Sequence, residues 1–180
     1  MKNTLRYVLI FSLALLMFNS CKNDKEGQKK ESEKEETTQS DPNFYINLYL
    51  KTSVQETIRV FYINLGDESY AEERSLKQIL LPSEGYQEVK FKMDEIPEKF
   101  RIDFGDSENE GDLEIDRIEL ENEGKIIPIG FEVINRYFKP NIYMEVNGSL
   151  VRRKTIDGRY DPFMESRDLL HQQILLDFLQ

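Results

Sequence analysis

Short segments in which apolar and polar side chains alternate one by one, each closed by turn-forming residues, restrict this chain more than any other feature. In Phe44–Leu50, Phe44, Ile46, Leu48 and Leu50 fall on one face of a pleated strand, while Tyr45, Asn47 and Tyr49 fall on the other. Residues 57–64 (TIRVFYIN) are β-branched and aromatic, with Ile58, Val60 and Tyr62 on one side and Arg59, Phe61 and Ile63 on the other. Both sides carry apolar residues, so this strand is predicted to be the more fully covered. Residues 88–93 alternate through Val89, Phe91 and Met93, and residues 100–104 through Phe100, Ile102 and Phe104. In residues 113–120 the apolar positions are 113, 115, 118 and 120, so the period of two slips by one; a β-bulge at Asp116-Arg117 would return all four to one face. Asn147-Gly148, between residues 142–146 and 150–153, has the composition of a tight hairpin turn.

Seven or eight short strands with polar turns predict an all-β antiparallel sandwich. Near the end, Asp161-Pro162 has the form of a helix start, and Leu169, Leu170, Ile174, Leu175, Phe178 and Leu179 recur at helical spacing. The expected organisation is a leader over 1–20, a linker over 21–41, a sandwich over 42–160 and a C-terminal helix over 161–180.

The leader is a second strong signal. Lys2 and Arg6 precede YVLIFSLALLMF, an apolar run of about a dozen residues, too short for the ~20 that span a bilayer. Small Ser20 stands before Cys21, the only cysteine, and a charged run follows. These residues resemble the precursors of bacterial lipoproteins, with a loose lipobox and a charged run after the cysteine like those of Bacteroidota. The resemblance implies that Cys21 is lipidated, becomes the mature N-terminus and tethers the protein to the cell envelope, at the outer membrane. Several acyl chains together hold firmly where one would not, each buried methylene contributing about 0.8 kcal/mol. One cysteine forms no disulfide within its own chain, so the fold is expected to stand on packing.

Residues 22–41 hold five lysines, seven acids and no large apolar side chain. Such a segment cannot bury enough surface to offset its ordering entropy, and is expected to be a disordered spacer. Removing residues 1–20 takes away two cations and no acid, moving the net charge from −10 to −12. A field of that sign repels phosphate backbones, so nucleic acid is excluded as an expected partner.

Residues 100–120, FRIDFGDSENEGDLEIDRIEL, carry an Arg-bearing strand, a Gly-containing loop and then Ile115, Asp116, Ile118 and Leu120 in an Ile-Asp-x-Ile-x-Leu pattern. This resembles the late-strand signature of the galactose-binding-like jelly rolls, which include many carbohydrate-binding modules. The resemblance implies a jelly-roll-like sandwich with a glycan ligand. A sugar site needs a flat π face and a few polar groups, for which Tyr45, Asn47 and Tyr49 on one strand face and the loop aromatics Tyr137, Phe138 and Tyr143 are the candidates. Arg159–Phe163 is a further candidate for a rim contact. Asp103, Asp106, Glu108, Glu110 and Asp112 crowd one loop with oxygen ligands that could hold calcium, although the spacing fails the twelve-residue loop pattern at its last position. By the resemblance, a structural calcium would involve Asp116. No other cofactor is expected.

No motif selects a catalytic pair of carboxylates, and the only histidine, His171, falls on the C-terminal helix without a serine elbow or glycine loop to accompany it. The expected function is therefore binding rather than catalysis: a lipid-anchored envelope protein with a glycan ligand. The alternative is an assembly subunit that engages an envelope partner through Leu170, Ile174 and Phe178 of the helix.

Overall fold

The computed structural model describes residues 42–105 and 113–180, all within the second of the two units into which the chain divides, Gln39–Gln180. Cys21, the linker and the loop acids Asp106, Glu108, Glu110 and Asp112 lie outside the described residues. The described part is the expected antiparallel β-sandwich with a C-terminal helix. Its eleven strands are β1 (Phe44–Thr52), β2 (Glu56–Ile63), β3 (Ser75–Leu80), β4 (Gln87–Met93), β5 (Lys99–Phe104), β6 (Leu113–Asn122), β7 (Lys125–Gly130), β8 (Phe138–Pro140), β9 (Met144–Asn147), β10 (Leu150–Arg153) and β11 (Phe163–Ser166). Two α-helices accompany them, α1 (Ile134–Tyr137) and α2 (Asp168–Phe178), with a 3-10 turn at Glu72–Arg74.

One sheet runs β4-β1-β6-β10-β9, with β7 also paired to β6; the other runs β3-β2-β5-β11-β8. We call them the first and second sheets. Their inward rows form the core: Phe44, Ile46, Leu48 and Leu50 of β1 meet Ile58 and Val60 of β2 and Phe100, Ile102 and Phe104 of β5 in one buried cluster.

The slip in β6 is a bulge. Tyr49 of β1 is paired with Arg117 but the next residue, Leu50, is paired with Ile115, so Asp116 has no counterpart. Leu113, Ile115, Ile118 and Leu120 are all fully buried as a result. The bulge falls where the other edge of β6 changes partner, from β10 at residues 113–114 to β7 at residues 117–122.

Three expectations are corrected. The helix begins at Asp168, not at Asp161-Pro162, because Phe163–Ser166 is claimed by the second sheet, pairing with β5 on one side and β8 on the other. The sandwich therefore continues through Ser166, past the expected boundary at 160. The hairpin loop is Gly148-Ser149, since Asn147 is already paired with Leu150, and only Gly148 takes positive φ (+61°). Finally, Leu170, Ile174 and Phe178 are buried in the domain's own core, Phe178 standing edge-on to Phe44 at 6.1 Å between ring centroids. That seam is already occupied.

At one end of the sandwich an ion pair is sealed between the sheets. Arg153 Nη1 of β10 lies 2.6 Å from Glu56 Oε1 of β2, with side chains 2% and 0% exposed. The chain leaves β5 beside it through Gly105, at φ +99°, where a Cβ would meet Glu56 Oε2 at 2.9 Å. Glycine is required there for both reasons. Removing one partner of a buried pair strands the other charge in the interior, so Arg153→Met should lower unfolding stability by about 3–5 kcal/mol in denaturant titrations, and adding Glu56→Leu should restore much of the loss. Equal stability of the single variant and the parent would show that the pair does not carry this end of the fold.

Candidate functional site

Two outer faces remain after the inner rows are buried, and they differ. On the first sheet, Tyr45, Asn47 and Tyr49 do share the outward side of β1, but each is engaged by its neighbours. Lys90 Nζ stands 4.0 Å from the Tyr45 ring centroid and 3.0 Å from Glu121 Oε2. Asn47 is only 3% exposed, and its Nδ2 donates to the same Glu121 oxygen at 3.2 Å. The Arg117 guanidinium lies 3.4 Å from the Tyr49 centroid. The Tyr49 hydroxyl lies 3.1 Å from Glu119 Oε2 and 3.3 Å from Glu88 Oε1, its one proton shared between the two carboxylates. Burial, and then the Glu119 carboxylate, hold the Tyr49 hydroxyl above its ordinary pKa.

The bulge explains the placement of Arg117. With Asp116 left over, Arg117 is the residue opposite Tyr49, where cation and ring meet. A sugar would have to displace a cation to stack on the covered face of either ring.

Asp116 is tied into the same network by its contact with Arg117 Nη1. Among the described residues no three His, Cys, Asp or Glu side chains group as metal ligands. Tyr137 lies on α1, partly buried against the core, and Phe138 is wholly buried. Neither joins a site with Tyr143.

The second sheet offers a different surface. Phe61 points outward but is only 6% exposed, because Arg59 and Arg101 lie over its ring at 5.4 and 4.6 Å. Arg101 also stacks on Phe163 at 4.4 Å, and its Nη2 donates to Asp103 at 2.9 Å. The Tyr70 hydroxyl, from the connection between β2 and β3, donates to Glu165 at 3.0 Å.

Beyond Phe163, towards the β8 edge, lies an open depression of about 500 Å³ walled by Lys139, Pro140, Asn141, Ile142, Tyr143, Asp161, Phe163 and Glu165. Asn141 ties its two walls together: its Oδ1 accepts from the backbone N–H of Tyr143 at 3.0 Å and of Phe163 at 3.4 Å, and its Nδ2 donates to the Asp161 carbonyl. Tyr143 and Phe163 are half-buried and Ile142 is 66% exposed. Of the residues singled out in the sequence, Tyr143, Asp161 and Phe163 are thus brought together, while Tyr45, Asn47, Tyr49 and Tyr137 are not part of this surface.

Pairing of β11 with β8 was the missing link. Phe163–Ser166 is four residues long, and Lys139, Asn141 and Glu165 carry no motif that would reveal them. A second depression, walled by Lys51, Thr52, Ser53, Pro82, Ser83, Glu84 and Glu114, has no aromatic side chain in its wall.

No protein-family model, no curated protein and no solved structure matches this chain.

Behind the depression, burial pushes the Asp103 carboxyl up to about 6, against the opposing pull of the Arg101 guanidinium. The folded protein therefore holds this proton more tightly than the unfolded chain does. The group's contribution to stability is greatest in acid, declines as pH rises from about 4 to about 6, and is constant above that range. Side-chain carboxyl NMR should give Asp103 a midpoint near 6, and Asp103→Asn should remove its part of the pH dependence of unfolding. A midpoint near 4, the ordinary value, would contradict this description of the site.

Proposed function

We propose that this is a lipid-anchored envelope protein whose sandwich binds glycans without catalysis, and that the binding surface is the Tyr143–Phe163 depression rather than the Tyr45–Tyr49 face. One observation carries the reading. Two half-buried aromatic side chains and an exposed aliphatic one border an open, rigidly tied depression that also presents Asp161, Glu165 and Lys139. Pyranose recognition needs this combination: π faces for the C–H side of the ring, and a few fixed polar groups for its hydroxyls. Asn141 keeps the spacing of Tyr143 and Phe163, so little ordering would remain to be done on binding.

The envelope address rests on the leader and Cys21. Among the described residues no helix is long and apolar enough to cross a membrane, so attachment in this reading is through the lipid. The alternative of an assembly subunit has lost its first motive, because Leu170, Ile174 and Phe178 are spent on the core. It keeps a second, since Leu169, Leu175 and Leu176 are exposed on α2 and Leu179 is exposed just past its end. Light scattering that finds a monomer, with no partner retained in detergent extracts of the native envelope, would remove it.

Residues 39–180 contain the entire described core and suit binding assays. On a panel of oligosaccharides, Phe163→Ala and Tyr143→Ala should each weaken binding about tenfold or more, while Tyr45→Ala and Tyr49→Ala should leave it nearly unchanged. Absence of binding to every glycan by the folded parent would remove the proposal. In the native host, Cys21→Ser should release the protein from the membrane fraction, and retention there would contradict the tether.

A further inference from the structure

The charges around the depression point to a particular class of glycan. Three charged side chains line it, Asp161, Glu165 and Lys139, so the carboxylates outnumber the cation. Arg101, on the adjacent strand β5 of the same sheet, is packed against Phe61 and Phe163 and bonded to Asp103. Arg59, on the next strand, is bonded to Glu72 at 2.8 Å. Neither Arg101 nor Arg59 lines the depression. Asp103, paired with Phe163 across β5 and β11, is balanced by Arg101, so this pair adds no net charge behind the aromatic wall and Asp161 and Glu165 set its sign. From Cys21 onward the chain carries about twelve more acids than bases, which repels polyanions before they reach the site.

Resting on the glycan reading above, we infer that the depression selects uncharged sugars and rejects uronate or sulfated ones, with Asp161 and Glu165 as the residues that discriminate. The two carboxylates can accept hydrogen bonds from neutral hydroxyls, each charge-assisted and stronger than a neutral pair. A ligand carboxylate in the same place would meet two like charges and one cation. Like-charge opposition of this kind rejects wrong partners more effectively than it strengthens right ones.

The test uses pairs of oligosaccharides identical in linkage and length and differing only at C6, an oligogalactan beside an oligogalacturonate and a glucan beside its oxidised form, titrated calorimetrically into residues 39–180 at low and moderate salt. The neutral member of a pair should bind and the uronate should bind at least tenfold more weakly, the gap narrowing as salt rises. In the Asp161→Asn, Glu165→Gln double variant the ratio of neutral to uronate affinity should fall roughly tenfold. Amide exchange across β5 and β11 would verify that this variant is folded, and Asp161→Asn alone, at an exposed position, should move the ratio in the same direction. Uronate binding as tight as neutral binding overturns the inference and leaves the glycan reading intact. Binding by neither member, in any pair, overturns both.

Discussion

The structure depends on one constraint: the longer strands β1, β4, β5 and β6 must each turn an unbroken apolar row towards the layer between the two sheets. Side chains alternate along a strand, so fixing the inner row also fixes which residues are left outside. At β6 the constraint is met only by inserting a residue, and the bulge at Asp116 keeps Ile115 and Ile118 both inside. The same insertion brings Arg117 opposite Tyr49. A packing requirement in the core thereby determines which aromatic rings on the surface are covered.

The two outer faces follow from this. On the first sheet, Lys90 and Glu121 engage Tyr45 and Asn47, and Arg117 and Glu119 engage Tyr49, through ion pairs, hydrogen bonds and cation–ring contacts. Exposed pairs of this kind contribute little stability singly, but together they leave few groups there in need of a ligand. On the second sheet the corresponding network of Arg59, Arg101 and Tyr70 stops at Phe163. Beyond it the surface dips towards the short β8 edge, where Arg101 covers one face of Phe163 while Tyr143, Asn141 and Ile142 border an open depression. The Glu56–Arg153 pair joins the sheets at one end of the sandwich, and α2 closes on Phe44 through Phe178.

Much of the fold was legible because burial leaves a period of two in the sequence. Residues 44–50, 88–93 and 100–104 show it plainly, and the slip between Ile115 and Ile118 was enough to predict the bulge. Four strands were not legible. Lys125–Gly130 contains Pro128, which reads as a strand breaker but sits on β7, an element paired only to β6. Ser75–Leu80 lies at the sheet edge with three consecutive exposed residues, so its alternation is weak. Phe138–Pro140 and Phe163–Ser166 are too short for any period, and Asp161-Pro162 imitates a helix start. The candidate site sits on those last two strands, which is why tyrosines on a well-read strand drew attention first. Tyr143 and the Arg159–Phe163 stretch were visible as residues, but their meeting depends on a long-range pairing that no local pattern encodes.

Ligand recognition is proposed to belong to the β8–β11 edge. The most direct measurement is the amide spectrum of ¹⁵N-labelled residues 39–180 during titration with the best-binding neutral oligosaccharide. Shifts should be confined to the segments around Asn141–Tyr143 and Asp161–Glu165, with Tyr45–Tyr49 unmoved. Shifts centred on Tyr45–Tyr49, or a spectrum unchanged at saturating ligand, would contradict it.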